Sequence, residues 1–259
     1  MRTHCLKSLL LSVVICAGCG NVLAGPTTAP ATRPVVVQPN VPSDQPAPKQ
    51  DGHGNISPPF LARHEAFLAR GKKGKIGLLF LGDSITEGWG SAKSVWQAHY
   101  GQDDPANFGI GGDRTQNVLW RIQNGELDGI GPKVLVLMIG TNNIFLPAAD
   151  ILKGDTKIVE QIHTKLPDTK LLLLGIFPRG ADPKIPATAA MREKIKTVNA
   201  GLAKLDDGDK TRYLDIGDKF LDADGVITTA IMRDALHPPP KGYQIWADAM
   251  QPLLDEMMK

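Results

Sequence analysis

The chain has 259 residues, of which 42% are hydrophobic and 22% are charged, so it can bury a sizeable core. Its formal net charge is +2, and the whole excess lies in residues 1–59, because residues 60–259 carry equal numbers of positive and negative side chains. This balance predicts no nucleic-acid partner. All three cysteines lie before residue 20, which excludes disulfides, thiolate-bound zinc and thiol nucleophiles from the rest of the chain.

Residues 1–24 have the pattern of an export signal. Basic residues precede the apolar run 9–17, which is too short to cross a bilayer and matches the centre of a signal peptide. Two processing sites are open: Val22-Leu23-Ala24 precedes one cleavage point, whereas Cys16-Ala17-Gly18-Cys19 resembles a bacterial lipoprotein box with Cys19 as the lipidated residue. We expect an exported protein, attached to the membrane of the cell envelope through Cys19 or released as a periplasmic or secreted protein.

Residues 25–59 are expected to form a disordered linker. They contain nine of the twenty prolines, a composition that favours extended polyproline II and cannot bury enough apolar surface to fold. The folded domain is therefore predicted to cover residues 60–259. His64 and Glu65 begin like a metal-binding helix but have no second histidine, and we assign them to a helix surface.

Strand and helix patterns alternate along residues 60–259. The continuously apolar segments 76–81 (IGLLFL), 134–139 (VLVLMI) and 171–177 (LLLLGIF) are typical of strands buried on both faces of a parallel sheet. Weaker strand patterns occupy 107–108 and 213–216, and helical spacing occupies 95–100, 115–123, 158–165, 191–205 and 241–258. The alternation predicts a three-layer α/β/α sandwich. In such a fold the functional site lies beyond the carboxyl ends of the strands.

Four polar blocks lie at these predicted ends or shortly before the last helix: 82–87 (GDSITE), 107–113 (NFGIGGD), 140–143 (GTNN) and 234–237 (DALH). Each block alone has a structural explanation: Ser84 with Glu87 fits a helix capping box, the paired glycines fit a tight turn, and Asn142 fits an Asx turn. Together, however, the blocks supply the parts of serine acyl transfer.

The chemistry explains why these residue types occur together. The Ser84 hydroxyl becomes a nucleophile when an imidazole accepts its proton, which His237 can do. Asp234, three residues before His237, can fix the tautomer of that imidazole and stabilise its charged form. The oxyanion that develops needs hydrogen-bond donors, and the Ser84 N–H, a glycine N–H and the Asn142 amide are candidates.

The four blocks resemble those of the SGNH (GDSL) hydrolase superfamily, and residues 107–143 are similar to the catalytic subunits of intracellular platelet-activating factor acetylhydrolase. The resemblance covers about residues 60–259. It implies a flavodoxin-like sheet of about five parallel strands and neither a metal nor another cofactor. It also implies the site residues: nucleophile Ser84, acid Asp234, base His237, and an oxyanion hole of Ser84, Gly112 and Asn142, with Gly111 as the alternative to Gly112.

These features predict a serine esterase that removes acetyl or other short acyl groups from a small acylated substrate. O-acetylated glycans outside the cell are the first expected substrates, and acetylated lipids are the second. The alternative is a non-catalytic envelope protein that binds a glycan with the same fold. All five site residues are present, and a protein that only binds a glycan would not need to keep them all.

Overall fold

The computed structural model describes residues 41–259, so the export signal, Cys19 and residues 25–40 of the predicted linker lie outside the described residues. Five parallel strands form one sheet in the spatial order β2-β1-β3-β4-β5. Their bounds are β1 Leu78–Gly82, β2 Pro105–Gly109, β3 Val134–Met138, β4 Lys170–Leu174 and β5 Thr211–Leu214. The predicted α/β class and the number of strands are confirmed.

Residues 41–259 form seven α-helices beside the sheet: α1 Pro58–Lys72, α2 Ser84–Glu87, α3 Lys93–Tyr100, α4 Thr115–Arg121, α5 Ala148–Lys165, α6 Pro186–Leu202 and α7 Pro240–Met257. Helices α1, α4, α5 and α6 contribute buried side chains to one hydrophobic core, and α3 and α7 contribute to a second. The sheet lies between them. Among residues 41–259, none of these helices is both long and apolar enough to span a membrane.

Alternating side chains of the central strands divide between the two cores. Leu79 and Leu81 of β1 belong to the core of α1, α4, α5 and α6, whereas Leu78 and Phe80 belong to the core of α3 and α7. All four are fully buried, because successive side chains of a strand point to opposite faces and both faces are covered. The second core is rich in aromatic rings around Phe80, including Trp89, Trp96, Tyr100, Tyr243 and Trp246.

The predicted strand segments extend further than the strands themselves. The segment 134–139 ends one residue beyond β3, and 171–177 runs three residues beyond β4. Ile139, Ile176 and Phe177 are nevertheless buried. These residues stay buried after strand pairing has ended. Because an apolar pattern indicates burial and not strand pairing, it continues past the ends of the strands.

Residues 41–57, here called the strap, differ from the predicted disordered linker. The first turn of α4 binds strap carbonyl groups through side-chain donors: Thr115 to Ser43 (2.8 Å), Gln116 to Val41 (2.9 Å) and Asn117 to Ala47 (2.9 Å). An extended, proline-containing segment has no internal partners for its carbonyl groups, and this polar helix end supplies them. The predicted boundary at residue 60 is therefore wrong for this part of the chain.

A glycine in the middle of α5 makes room for the strap. A Cβ atom at Gly154 would lie 2.7 Å from the Ser43 carbonyl oxygen and 2.6 Å from Thr115 Oγ1. The end of the strap is closed by a small hairpin, in which the Ser57 N–H donates to the Lys49 carbonyl at 2.8 Å. Lys49 is thus joined to the residue that precedes α1.

Candidate active site

Ser84 lies at the sharp turn between β1 and α2. A Cβ atom at Gly82, the last residue of β1, would lie 2.3 Å from the Met138 carbonyl oxygen, so this turn requires a glycine at that position. Asp83 caps the short helix by accepting the Ile85 N–H at 2.9 Å. The turn leaves Ser84 half-buried at the carboxyl end of the sheet, where parallel α/β folds place their sites.

Ser84, His237 and Asp234 form one hydrogen-bonded chain. The Ser84 hydroxyl lies 2.9 Å from His237 Nε2, and His237 Nδ1 lies 2.7 Å from Asp234 Oδ2. Burial acts to raise the pKa of Asp234, but its hydrogen bonds from His237 outweigh this and lower the pKa below the usual value. An ionised Asp234 holds the proton of His237 on Nδ1, which leaves Nε2 to accept the proton of Ser84.

A tight turn presents the imidazole. Asp234 Oδ1 accepts the backbone N–H of His237 at 2.7 Å, and Ala235 between them adopts a φ of 56°. The prolines that follow end this turn, and Pro240 begins α7. Within α7, the Tyr243 hydroxyl donates to the Ile85 carbonyl at 2.7 Å, which joins the base side of the site to the serine turn.

The paired glycines after β2 pass beside Ser84. A Cβ atom at Gly111 would lie 3.8 Å from Ser84 Cβ, and Gly112 has a φ of 76°. The Gly111 N–H already donates to Glu87 Oε2 at 2.8 Å. Within the described part of the chain, the Gly112 N–H has no hydrogen-bond acceptor. Of the two glycines that the sequence left open, only Gly112 therefore offers a free donor.

Asn142 lies in the turn after β3 and contacts residues 110–113, here called the glycine loop. Its amide nitrogen donates to the Asp113 carbonyl at 2.9 Å and lies 3.4 Å from Asp83 Oδ2. Arg179, from the loop after β4, donates to the Thr141 carbonyl at 2.9 Å and so secures the same turn. The loops after β1, β2, β3 and β4 are thus bonded to one another around Ser84.

A buried ion-pair network that the sequence analysis did not identify supports the glycine loop. Arg121 lies between Asp113 (2.9 Å) and Glu126 (2.7 Å), and all three side chains are fully buried. Burial alone would lower the pKa of Arg121, but Glu126 and Asp113 raise it above its ordinary value, so the guanidinium stays charged. His64 is also buried, 3.4 Å from Glu126. Its assignment to a helix surface was wrong, because the helix turns this residue toward the network.

Two further carboxyl groups lie below the serine turn. Burial, with a contribution from Asp113, raises the pKa of Asp83 to about 7. Asp155 of α5 is buried, and neither of its oxygens has a hydrogen-bond partner among the described residues. Burial raises its pKa well above the ordinary value, and the nearby Asp83 raises it further. Across residues 41–259, no group of three or more His, Cys, Asp or Glu side chains could hold a metal ion.

The chain is similar to known proteins over most of its length. The model of the GDSL-like lipase/acylhydrolase family matches residues 80–245. Platelet-activating factor acetylhydrolase IB subunit alpha1 of Homo sapiens is 34% identical over 214 residues, which cover 82% of this chain and 89% of that protein. Subunit alpha2 of Rattus norvegicus is 35% identical over 204 residues, which cover 77% and 84%.

Solved structures share the fold at lower identity. A GDSL-like lipase from Bacteroides thetaiotaomicron has a TM-score of 0.60 and 17% identity, over 75% of this chain and 98% of that one. An acetylxylan esterase from Geobacillus stearothermophilus has a TM-score of 0.54 and 19% identity, over 71% and 96%. The overall α/β fold is therefore that of a known architecture.

Proposed function

The chain belongs to the GDSL-like lipase/acylhydrolase family and is a carboxylic ester hydrolase, and from this premise we propose that it removes acetyl groups through Ser84. The observation that carries the proposal is the chain of hydrogen bonds from Ser84 through His237 to Asp234, at 2.9 and 2.7 Å. A serine, a base and an orienting carboxylate at these distances are the groups that activate a hydroxyl for attack on an ester.

In the proposed reaction, His237 Nε2 accepts the proton of Ser84 as Oγ attacks the ester carbonyl carbon. The negative charge that forms on the carbonyl oxygen is stabilised by the Ser84 N–H, the Gly112 N–H and the Asn142 amide. His237 then gives its proton to the alcohol that leaves. A water molecule, deprotonated by His237, hydrolyses the acyl-enzyme and restores Ser84.

The Asn142 amide has one hydrogen available for this task. An amide nitrogen carries two hydrogens, and one of them is used in the 2.9 Å bond to the Asp113 carbonyl. The other has only the long 3.4 Å contact with Asp83. We assign this second hydrogen to the oxyanion, while the first one keeps Asn142 attached to the glycine loop.

We propose O-acetylated glycans as the substrates. His237 and Asp234 are part-exposed, so a bulky ester can approach them. Phe145, three residues after Asn142, is 59% exposed, and the Arg114 guanidinium lies over its ring at 4.5 Å. The exposed ring of Phe145, in the loop that carries Asn142, suits the apolar face of a sugar ring. Relatives named as a platelet-activating factor acetylhydrolase and an acetylxylan esterase support an acetyl substrate.

Acetate release measured on three substrates tests the proposal: p-nitrophenyl acetate, an acetylated xylooligosaccharide and an acetylated ether phospholipid. The wild type is expected to hydrolyse the first two, and Ser84→Ala is expected to lose both activities while its melting temperature is kept. Phe145→Ala should raise KM for the oligosaccharide and leave p-nitrophenyl acetate unaffected. Preference for the phospholipid would contradict the glycan proposal, and glycan binding without hydrolysis would indicate the non-catalytic alternative.

The proposed place of action is outside the cytoplasm. The support is the export pattern of residues 1–24. Mass analysis of the mature protein tests it: a lipid-modified Cys19 would support attachment to the envelope, and a free N-terminus at Gly25 would support release. A full-length mature protein that still begins at Met1 would contradict export.

A further inference from the structure

Lys49, which lies in the strap far from Ser84 in sequence, reaches the glycine loop of the site. Its Nζ donates to the Gly111 carbonyl and lies 2.7 Å from Asp113 Oδ1. The side chain is only 17% exposed, and its ammonium group lies 5.6 Å from the centre of the Phe60 ring. Lys49 is therefore a fixed, largely desolvated cation and not a solvated surface lysine.

The Gly111 carbonyl and the Gly112 N–H belong to the same peptide group. In a trans peptide the C=O and the N–H point in opposite directions. A cation that holds the carbonyl therefore fixes the direction in which the N–H points. It also draws electron density toward the carbonyl oxygen, which strengthens the N–H as a donor. This peptide is the central one of a turn that the Asp113 N–H closes by donating to the Ile110 carbonyl at 3.1 Å. Gly112 has a φ of 76° there, and Lys49 adds a bond to the carbonyl of the central peptide itself.

The charge of Lys49 also completes the network below the loop. Arg121 alone faces two carboxylates, those of Asp113 and Glu126. Burial raises the pKa of Asp113, and Arg121 and Lys49 oppose that rise. Without Lys49, the buried groups beside the oxyanion would carry an excess negative charge, which opposes the build-up of a second negative charge on the substrate.

We propose that Lys49 is a positioning residue for ester hydrolysis: it orients and polarises the Gly111–Gly112 peptide whose N–H binds the oxyanion. The strap is thus a part of the active site. This inference rests on the proposed function, because it assigns the Gly112 N–H to the oxyanion. The same segment is attached to α4 by Ala47 and closed by the hairpin at Ser57, which gives Lys49 the rigidity that the role requires.

The experiment compares kcat and KM of the full chain and four variants on p-nitrophenyl acetate, with melting temperatures. Lys49→Met removes the cation and keeps most of the side-chain volume. Its kcat is expected to fall about 10- to 100-fold, which is no more than the fall in kcat caused by losing a whole oxyanion donor. Its KM should be nearly unchanged. Lys49→Arg keeps the cation and is expected to restore kcat to within about threefold of the wild type. Lys153→Met is the matched control, because Lys153 pairs with Asp44 of the same strap at 2.9 Å but is exposed; its kcat should not change.

The double variant Lys49→Met/Asp113→Asn distinguishes a purely structural role of Lys49, as the partner of Asp113, from its proposed role at the Gly111 carbonyl. It removes the carboxylate that Lys49→Met leaves under-compensated, but it cannot replace the cation at the Gly111 carbonyl. A kcat that stays low supports the inference, whereas recovery to the wild-type kcat overturns it. A wild-type kcat in Lys49→Met would also overturn the inference and leave the proposed function intact. No ester hydrolysis by the wild type would overturn both.

Discussion

Two adjacent asparagines offer a sharp separation between catalysis and stability. Asn142 is half-buried and faces the glycine loop, where it donates to the Asp113 carbonyl. Asn143 is fully buried and faces α4. Its side chain accepts the Thr115 N–H at 3.0 Å and donates to Thr115 Oγ1 at 3.2 Å and Gln116 Oε1 at 3.0 Å. Replacing each by alanine should therefore have opposite consequences.

Asn142→Ala should mainly reduce turnover. Loss of one oxyanion donor lowers kcat by about 100- to 1,000-fold, and KM should remain nearly constant because the interaction belongs to the transition state. The folded state loses one hydrogen bond, worth about 1 kcal/mol. For a domain of this size that loss lowers the melting temperature by roughly 2–4 °C.

Asn143→Ala should mainly reduce stability. It removes three hydrogen bonds and leaves the buried Thr115 N–H without an acceptor, at a total cost of about 3 kcal/mol or more. The melting temperature should fall by roughly 6–12 °C. The folded fraction should keep kcat within about threefold of the wild type, since Asn143 does not face Ser84.

The assay is hydrolysis of p-nitrophenyl acetate at a temperature where both variants are folded, with thermal unfolding followed by circular dichroism. A wild-type kcat in Asn142→Ala would refute its role at the oxyanion. A larger loss of kcat in Asn143→Ala than in Asn142→Ala would show that the block 140–143 presents its second asparagine to the substrate, against the contacts described above.

Three further outcomes are expected. A chain that begins at Val41 should keep the melting temperature and kcat of the full chain. A chain that begins at Pro58 lacks the strap and should have a lower melting temperature and a lower kcat. Equal values for the two chains would contradict the role of the strap. The pKa of Asp83, about 7, lies above its unfolded value of about 3.9. The folded chain therefore binds an extra proton between these values, and the associated stability is full below about pH 4 and is lost as the pH rises toward 7. In urea unfolding, Asp83→Asn should make the decrease of the free energy of unfolding with pH less steep, by up to about 1.4 kcal/mol per pH unit. An unchanged pH dependence of the free energy of unfolding would contradict the raised pKa of Asp83. Activity should survive exhaustive chelation, because the proposed acyl transfer uses only protein donors and a base; loss with EDTA that zinc restores would refute it.

The sequence predicted the fold well because its strongest signals are local. Residues such as Leu79, Leu135 and Leu172 lie in short, fully buried apolar runs, which are typical of a sheet covered on both faces. Three of the four polar blocks follow strands of this sheet and therefore had to meet at one edge of it. The structure places Ser84, Asp234 and His237 within hydrogen-bond distance; their catalytic role stays a prediction.

The parts that escaped the sequence analysis depend on contacts between distant segments. Lys49 lies in a proline-rich stretch, and nothing near it in sequence shows that it will meet Gly111, 62 residues later. His64 is buried beside Glu126, which is also 62 residues away in the sequence. The difference between Asn142 and Asn143 depends on which way a single turn faces, and two identical side chains carry no information about that.

The order in which the chain is synthesised adds a consequence of the link between α7 and the serine turn. Ser84 leaves the ribosome early, but its base follows 153 residues later, just before the last helix of the protein. Domains begin to fold from the N-terminus during synthesis, so the serine turn can form while His237 is still absent. Until α7 packs against β1 and Tyr243 binds the Ile85 carbonyl, Ser84 lacks its proposed base. The proposed mechanism therefore predicts that incomplete chains do not hydrolyse esters and that activity appears only when folding is complete.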